Sequence, residues 1–206
     1  MMLLRFIVIY FLTTFNFCHA KDSTILVLGD SLSAAYGIEI EHGWVSLLRN
    51  RLDHYSEDRQ WNVVNASVSG ETTTGGLARL PDLIRQYQPV LCIIELGANN
   101  GLRGQSTSLV QNDLDQIVKK CSESGTSLLL GIKLPPNYGE KYTQAFHQIY
   151  PNVANENNIP LVPFLLDGIA LQDKYLQADR LHPIAEAQPL ILENMWPILS
   201  EILELI

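Results

Sequence analysis

The chain is 206 residues long, carries 22 acidic against 14 basic residues for a formal charge of −8, and is 47% hydrophobic. That length suits one domain with a sizeable core, and the acidic balance argues against nucleic acid or an anionic membrane surface as the main partner. No Cys/His cluster has metal-ligand spacing, which speaks against a structural zinc site.

The first twenty residues differ from the rest. Arg5 gives a short positive start, residues 6–17 are almost wholly apolar, and Cys18-His19-Ala20 ends in a small residue before Lys21. This is the pattern of a secretory signal peptide cleaved after Ala20. The apolar run is short for a membrane span and is interrupted by Thr13, Thr14 and Asn16. Bulky Phe17 before Cys18 speaks against a lipoprotein. The expectation is a signal peptide over 1–20 and one domain over 21–206, periplasmic or secreted, without stable membrane insertion of the mature chain. Loss of Arg5 takes the charge from −8 to −9. Of the cysteines, Cys92 falls in a strand-like run and Cys121 in a helix-like one. Both read as buried thiols, although an oxidising compartment permits a disulfide.

Beyond residue 21, apolar strand-like runs alternate with helix-like stretches. In chain order they are a strand at 24–28, a helix at 44–53, a strand at 61–66, a helix at 76–87 and a strand at 90–96. A helix at 107–124, a strand at 127–132, a helix at 141–157, a short strand at 160–164 and a last helix at 185–206 follow. The strands are continuously apolar, as in a parallel sheet covered on both faces. In the helix at 107–124, Leu109, Val110, Leu114, Ile117 and Val118 recur at helical spacing. Pro189 and Pro197 mark the start of the last helix and a kink in it. The alternation predicts an α/β fold, a doubly wound three-layer α/β/α sandwich on a mainly parallel five-stranded sheet.

In such sheets the working residues gather at the carboxyl ends of the strands. The first strand, Ile25-Leu26-Val27-Leu28, ends in Gly29-Asp30-Ser31, a tight turn that holds a hydroxyl at the sheet edge. A serine hydroxyl needs a base to take its proton and a carboxylate to orient that base. His182 suits the base best: Asp179 lies three residues before it and Pro183 stiffens the exit. His19 leaves with the signal peptide, His42 and His54 look solvated, and His147 reads as a surface or interface residue. Asp30 reads as a local pin of the turn rather than the orienting acid. Acyl transfer also needs donors for a developing oxyanion. The Ser31 N–H is one, Gly70 N–H and the Asn99 amide are others, with a turn glycine and a loop-capping amide as their alternatives.

These residues together resemble the SGNH hydrolases, the GDSL esterase/lipase superfamily, over essentially the whole mature chain. The blocks that carry the resemblance are Gly29-Asp30-Ser31-Leu32, Gly70, Gly97-Ala98-Asn99-Asn100 and Asp179-Arg180-Leu181-His182. Segments at 76–81, 100–104 and 134–139 resemble its bacterial periplasmic thioesterase and lysophospholipase members. The resemblance implies a flavodoxin-like fold, Ser31 as nucleophile, His182 as base and Asp179 as its acid. It also implies an oxyanion hole of Ser31, Gly70 and Asn99. Relatives usually have Asp where this chain has Asn100, so a change in loop geometry or pH response is expected there.

The implied reaction is hydrolysis of a small-molecule acyl ester or thioester through an acyl-enzyme, by a monomer and without metal or organic cofactor. The segments at 101–108 and 134–142 are candidates to line an acyl groove. The alternatives are a carbohydrate or aryl acetyl-esterase on the same scaffold, or a secreted binding protein without turnover.

Overall fold

The computed structural model describes residues 23–56 and 59–206, so the expected signal peptide at 1–20 lies outside the described residues. The elements run β1 (Ser23–Gly29), α1 (Trp44–Leu52), β2 (Trp61–Asn65), α2 (Thr73–Tyr87), β3 (Leu91–Glu95) and α3 (Ala98–Leu102). They continue with α4 (Thr107–Ser122), β4 (Thr126–Leu130), α5 (Glu140–Asn157), β5 (Leu161–Val162) and α6 (Gln188–Leu205). All strand pairs are parallel, in the order β2-β1-β3-β4-β5.

Alternation along β1 explains why its sequence is apolar throughout. Ile25 and Val27 point into a core with Trp44 and Leu48 of α1 and Ile191 and Met195 of α6. Leu26 and Leu28 point the other way, among Leu80 of α2, Leu114 and Ile117 of α4 and Phe146 of α5. The sheet is thus buried on both faces, and the expected α/β/α sandwich is what forms. Within the layer that α1 and α6 share, a polar contact adds to the apolar packing. The Trp44 N–H donates to the buried Gln188 side chain at 3.1 Å.

Three boundaries differ from expectation for local reasons. Helix α2 begins at Thr73 rather than 76, because Thr72 caps it, its hydroxyl accepting the Gly75 N–H at 3.2 Å. The last helix begins with a 3₁₀ turn at Ala185–Ala187 before α6, which has Pro189 in its first turn. Strand β5 is two residues long because Pro160 and Pro163 flank it and neither can donate to a ladder.

From β1 the chain winds outward to β2 on one side, then returns to build β3, β4 and β5 on the other. The carboxyl ends of β1 and β3 therefore face a crevice where successive connections diverge, the place such sheets use for ligands. Ser31 lies just past β1 and Asn99 just past β3.

Candidate active site

The turn after β1 is built by close approach. A Cβ on Gly29 would lie 2.6 Å from Ser33 Oγ and 2.9 Å from Glu95 Oε2, so only glycine fits there. The Asp30 N–H donates to Glu95 Oε2 at 3.2 Å, and Asp30 Oδ1 accepts the Leu32 N–H at 3.1 Å. These bonds pin the backbone on both sides of Ser31. Asp30 is fully buried, in keeping with its reading as a turn pin.

The other end of the chain comes to this turn. His182 Nε2 lies 2.8 Å from Ser31 Oγ, and His182 Nδ1 lies 2.6 Å from Asp179 Oδ2. Asp179 Oδ1 also accepts the N–H groups of Leu181 at 2.9 Å and His182 at 3.0 Å. One carboxylate thus fixes both the ring and its backbone, helped by Arg180 in the left-handed region at φ +59°. The Gln177 N–H donates to the His182 carbonyl at 2.8 Å, and the Gln177 side chain donates to the Tyr36 and Pro183 carbonyls. The Tyr36 ring sits 4.5 Å from the imidazole. Burial pulls the Asp179 carboxyl up, but hydrogen bonds from the His182 ring and from the His182 and Leu181 N–H groups outweigh it. The net result holds the group at about 2.

Ser31, Gly70 and Asn99 all line one cavity. Asn99 Nδ2 donates one hydrogen to Asp30 Oδ2 at 3.1 Å, which leaves its second N–H for the cavity that Asn99 lines. Gly70, at φ +81°, also lines it, and its carbonyl accepts from Arg103 at 3.1 Å. No acceptor among the described residues takes the N–H of Ser31 or Gly70. Beside them Asn100, fully buried, accepts the Thr73 N–H at 2.9 Å and donates to Gln105 Oε1 at 2.7 Å and Thr73 Oγ1 at 3.1 Å. Thr73 in turn donates to Asp113 at 2.9 Å. Asn100 therefore ties the start of α2 to the loop after α3.

The cavity in front of Ser31 has a volume of about 820 Å³ and a mainly apolar lining. Leu102 and Leu134–Pro136 contribute to it, within the two segments expected from sequence. Phe164, Leu166 and Leu171, beyond β5, were not expected; a run of apolar residues between Pro163 and Gly168 was the signal available. His147 is a correction. It stood as a surface or interface residue, whereas α5 turns it into the cavity wall, half-buried, with Nδ1 unpartnered among the described residues. His42 and His54 are exposed, as expected. Cys92 and Cys121 are both buried and unbonded as a disulfide. Tyr36 was also not singled out, although an aromatic residue just before Gly37 and five past Ser31 is within reach of the site.

Two carboxyls beneath the site behave differently from Asp179. Burial raises Asp30 to about 6, against the pull of hydrogen bonds from Leu32, Glu95 and Asn99. Burial and the neighbouring Asp30 charge raise Glu95 well above the ordinary carboxylate range.

Residues 27–188 match the GDSL-like Lipase/Acylhydrolase family. Esterase TesA of Pseudomonas aeruginosa is 48% identical over 185 residues, 89% of this chain and 91% of that protein. The Thioesterase 1/protease 1/lysophospholipase L1 of Escherichia coli K12 is 41% identical over 186 residues, 90% of this chain and 87% of that one. A crystal structure of the psychrotrophic esterase EstA from Pseudoalteromonas sp., inhibited by monoethylphosphonate, superposes with a TM-score of 0.82 at 42% identity. That match covers 89% of this chain and 100% of the other.

Proposed function

Because the chain belongs to the GDSL-like lipase/acylhydrolase family and is an ester and thioester hydrolase of it, we propose that Ser31 is its nucleophile, His182 its general base and Asp179 the acid that orients that base. The observation that carries this reading is the hydrogen-bonded line from Ser31 through His182 to Asp179, 2.8 and 2.6 Å long, opening on an apolar cavity.

In this mechanism Ser31 Oγ attacks the acyl carbonyl as its proton passes to His182 Nε2. The imidazolium that results is stabilised by Asp179, which keeps Nδ1 protonated. The oxyanion is taken by the N–H groups of Ser31 and Gly70 and the free N–H of Asn99, donors already oriented before substrate arrives. His182 then protonates the departing alcohol or thiol, and water repeats the attack on the acyl-enzyme.

The substrate class is an acyl chain of more than a few carbons, as an ester or thioester. The cavity runs from the end of β1 to the segment beyond β5, three strand spacings or roughly 14 Å. An acetyl group would leave most of that apolar wall unfilled, so an acetyl-esterase reading fits less well. The sequence of residues 1–20 supports export to the periplasm or beyond. All groups of the site come from one chain, so a monomer suffices, and no helix among the described residues is long and apolar enough to cross a membrane.

The test is a p-nitrophenyl ester series from acetate to palmitate, combined with labelling by a serine-reactive phosphonate. The expected result is a kcat/KM that rises beyond acetate and a phosphonate adduct on Ser31. A preference that peaks at acetate, or an adduct absent from Ser31, overturns the assignment.

A further inference from the structure

Glu95 ends β3 directly beneath the nucleophile turn, fully buried, and its chemistry is not used by the mechanism above. One of its oxygens, Oε2, accepts twice: from the Asp30 N–H at 3.2 Å and from Ser33 Oγ at 2.7 Å. The other, Oε1, is buried with no donor facing it among the described residues. The Asp30 N–H bond to Glu95 Oε2 brings the two residues together, and their carboxyl groups act on each other. Two carboxylates in contact, both out of water, cannot both be ionised.

The hydrogen-bond inventory says which one keeps the proton. An anionic Glu95 would leave Oε1 as an unsatisfied buried charge. As a neutral acid Glu95 instead carries an O–H that the adjacent Asp30 carboxylate can accept. Asp30 meets only donors otherwise, the Leu32 N–H on Oδ1 and the Asn99 amide on Oδ2, which suits an anion. Other titratable groups facing the pair are Tyr150 of α5, whose hydroxyl donates to the Leu96 carbonyl at 3.1 Å, and His182, which acts on Asp30 through its charge.

We propose that Glu95 is a positioning residue: as a neutral acid it donates to Asp30, and the Asp30 carboxylate so held fixes the Asn99 amide with its free N–H beside Ser31. This rests on the reading of Asn99 as an oxyanion donor. Burial acts in the same direction, raising Glu95 well above the ordinary carboxylate range. The chain of contacts runs Ser33 and Glu95, Asp30, Asn99, so the floor of the sheet sets the aim of one donor.

The test is a set of single variants and a double-mutant cycle on the full mature chain, read as kcat and KM on the best p-nitrophenyl ester. Glu95→Gln keeps one acceptor and one donor without charge, and kcat is expected within about threefold of the parent. Glu95→Leu removes both, and kcat is expected to fall about tenfold or more with KM changed less than about threefold. In the Asn99→Ala background the same Glu95→Leu change is expected to cost less than about twofold further, because its effect runs through Asn99. A Glu95→Gln loss as large as that of Glu95→Leu overturns the neutral acid. Losses that multiply in the Asn99→Ala background overturn the positioning role.

Should Glu95→Leu fail to fold by thermal melting, Asp30→Asn replaces it in the cycle with the same expected pattern and the same overturning result. Phosphonate labelling of the parent separates the two readings. An unlabelled Ser31 sinks the hydrolase mechanism, whereas a labelled Ser31 with multiplying losses sinks only the role of Glu95.

Discussion

His182 and Asp179 stand on a surface loop, three residues apart, with 20% and 38% of their side chains exposed and most of their hydrogen bonds made within the loop. Ser31 and Asn99 stand instead on fully buried groups, Asp30 just past β1 and Glu95 at the end of the adjacent β3. The first arrangement can be altered by one side chain without disturbing the core. The second couples the aim of the donors to the integrity of the sheet. Changes on the loop should therefore act mainly on turnover, and changes under the nucleophile should act on turnover and stability together.

The largest effect expected is that of Ser31→Ala, a loss of hydrolysis on the order of a thousandfold or more. Its half-buried hydroxyl has no role in the core, so the melting temperature should hold within a few degrees. A purified Ser31→Ala protein with near-parent turnover breaks the whole comparison. Next comes Asp179→Asn, which removes the charge that holds the imidazole and offers Nδ1 the wrong partner; a loss of several hundredfold is expected. Asp179 lies below its ordinary value in the folded chain, so its contribution to stability is present above about 4 and is lost as pH falls toward about 2. That window lies below any pH at which the enzyme would be assayed. Asn can still accept the Leu181 and His182 N–H groups and loses only a solvent-screened charge. Asp179→Asn should therefore melt slightly below the parent by the same margin at pH 7 and pH 5, and a large loss at either pH would blur the distinction drawn here.

How much of this could be read from the sequence follows the same division. The loop half was legible because its chemistry is local: Asp179 and His182 are three apart, and Ser31 follows a strand that stops at Gly29. Gly70 and Asn99 were legible as residues directly after strands. The support beneath was not. Glu95 lies inside the run expected as a strand at 90–96 and was not singled out there; the pairing of Gly29 with Glu95 and its full burial show its place beneath the turn. The run 97–101, rich in Gly and Asn, reads as a loop, yet all of it past Gly97 joins Leu102 in α3, where Asn99 and Asn100 bond to Asp30 and Thr73. His147 was misplaced because a helix pattern gives the spacing of its faces but not which neighbour a polar residue will meet.

A smaller effect separates the buried half by its protons. Glu95 lies above its ordinary range in the folded chain, so the native state keeps a proton that the unfolded chain releases once pH passes about 4.3. Its contribution to stability is thus present below that pH and lost as pH rises toward the folded value; Asp30, raised to about 6, acts in the same sense over a narrower window. The melting temperature of the parent should fall more between pH 4.5 and pH 8 than that of Glu95→Gln, which has no proton to lose. Parallel profiles would show that Glu95 is already ionised in the native chain. The same comparison with Asp179→Asn should leave the parent slope unchanged, since that carboxyl is ionised over the whole interval.

The smallest effect on turnover is expected from Asn100→Asp, the residue that the family resemblance leads one to expect there. The new carboxylate could still accept the Thr73 N–H, but it would face Gln105 Oε1 with an oxygen where the amide donates at 2.7 Å. The Thr73 hydroxyl already serves buried Asp113, and it has one hydrogen to give. Two buried carboxylates would then compete for one donor, costing about 1–3 kcal/mol and lowering the melting temperature by roughly 3–10 °C. Asn99 keeps its bond to Asp30 in this variant, so kcat should stay within about threefold. A tenfold loss of kcat with an unchanged melting temperature would mean that the loop after α3 aims Asn99 directly, and that the buried half of the site extends through Asn100 to Gln105.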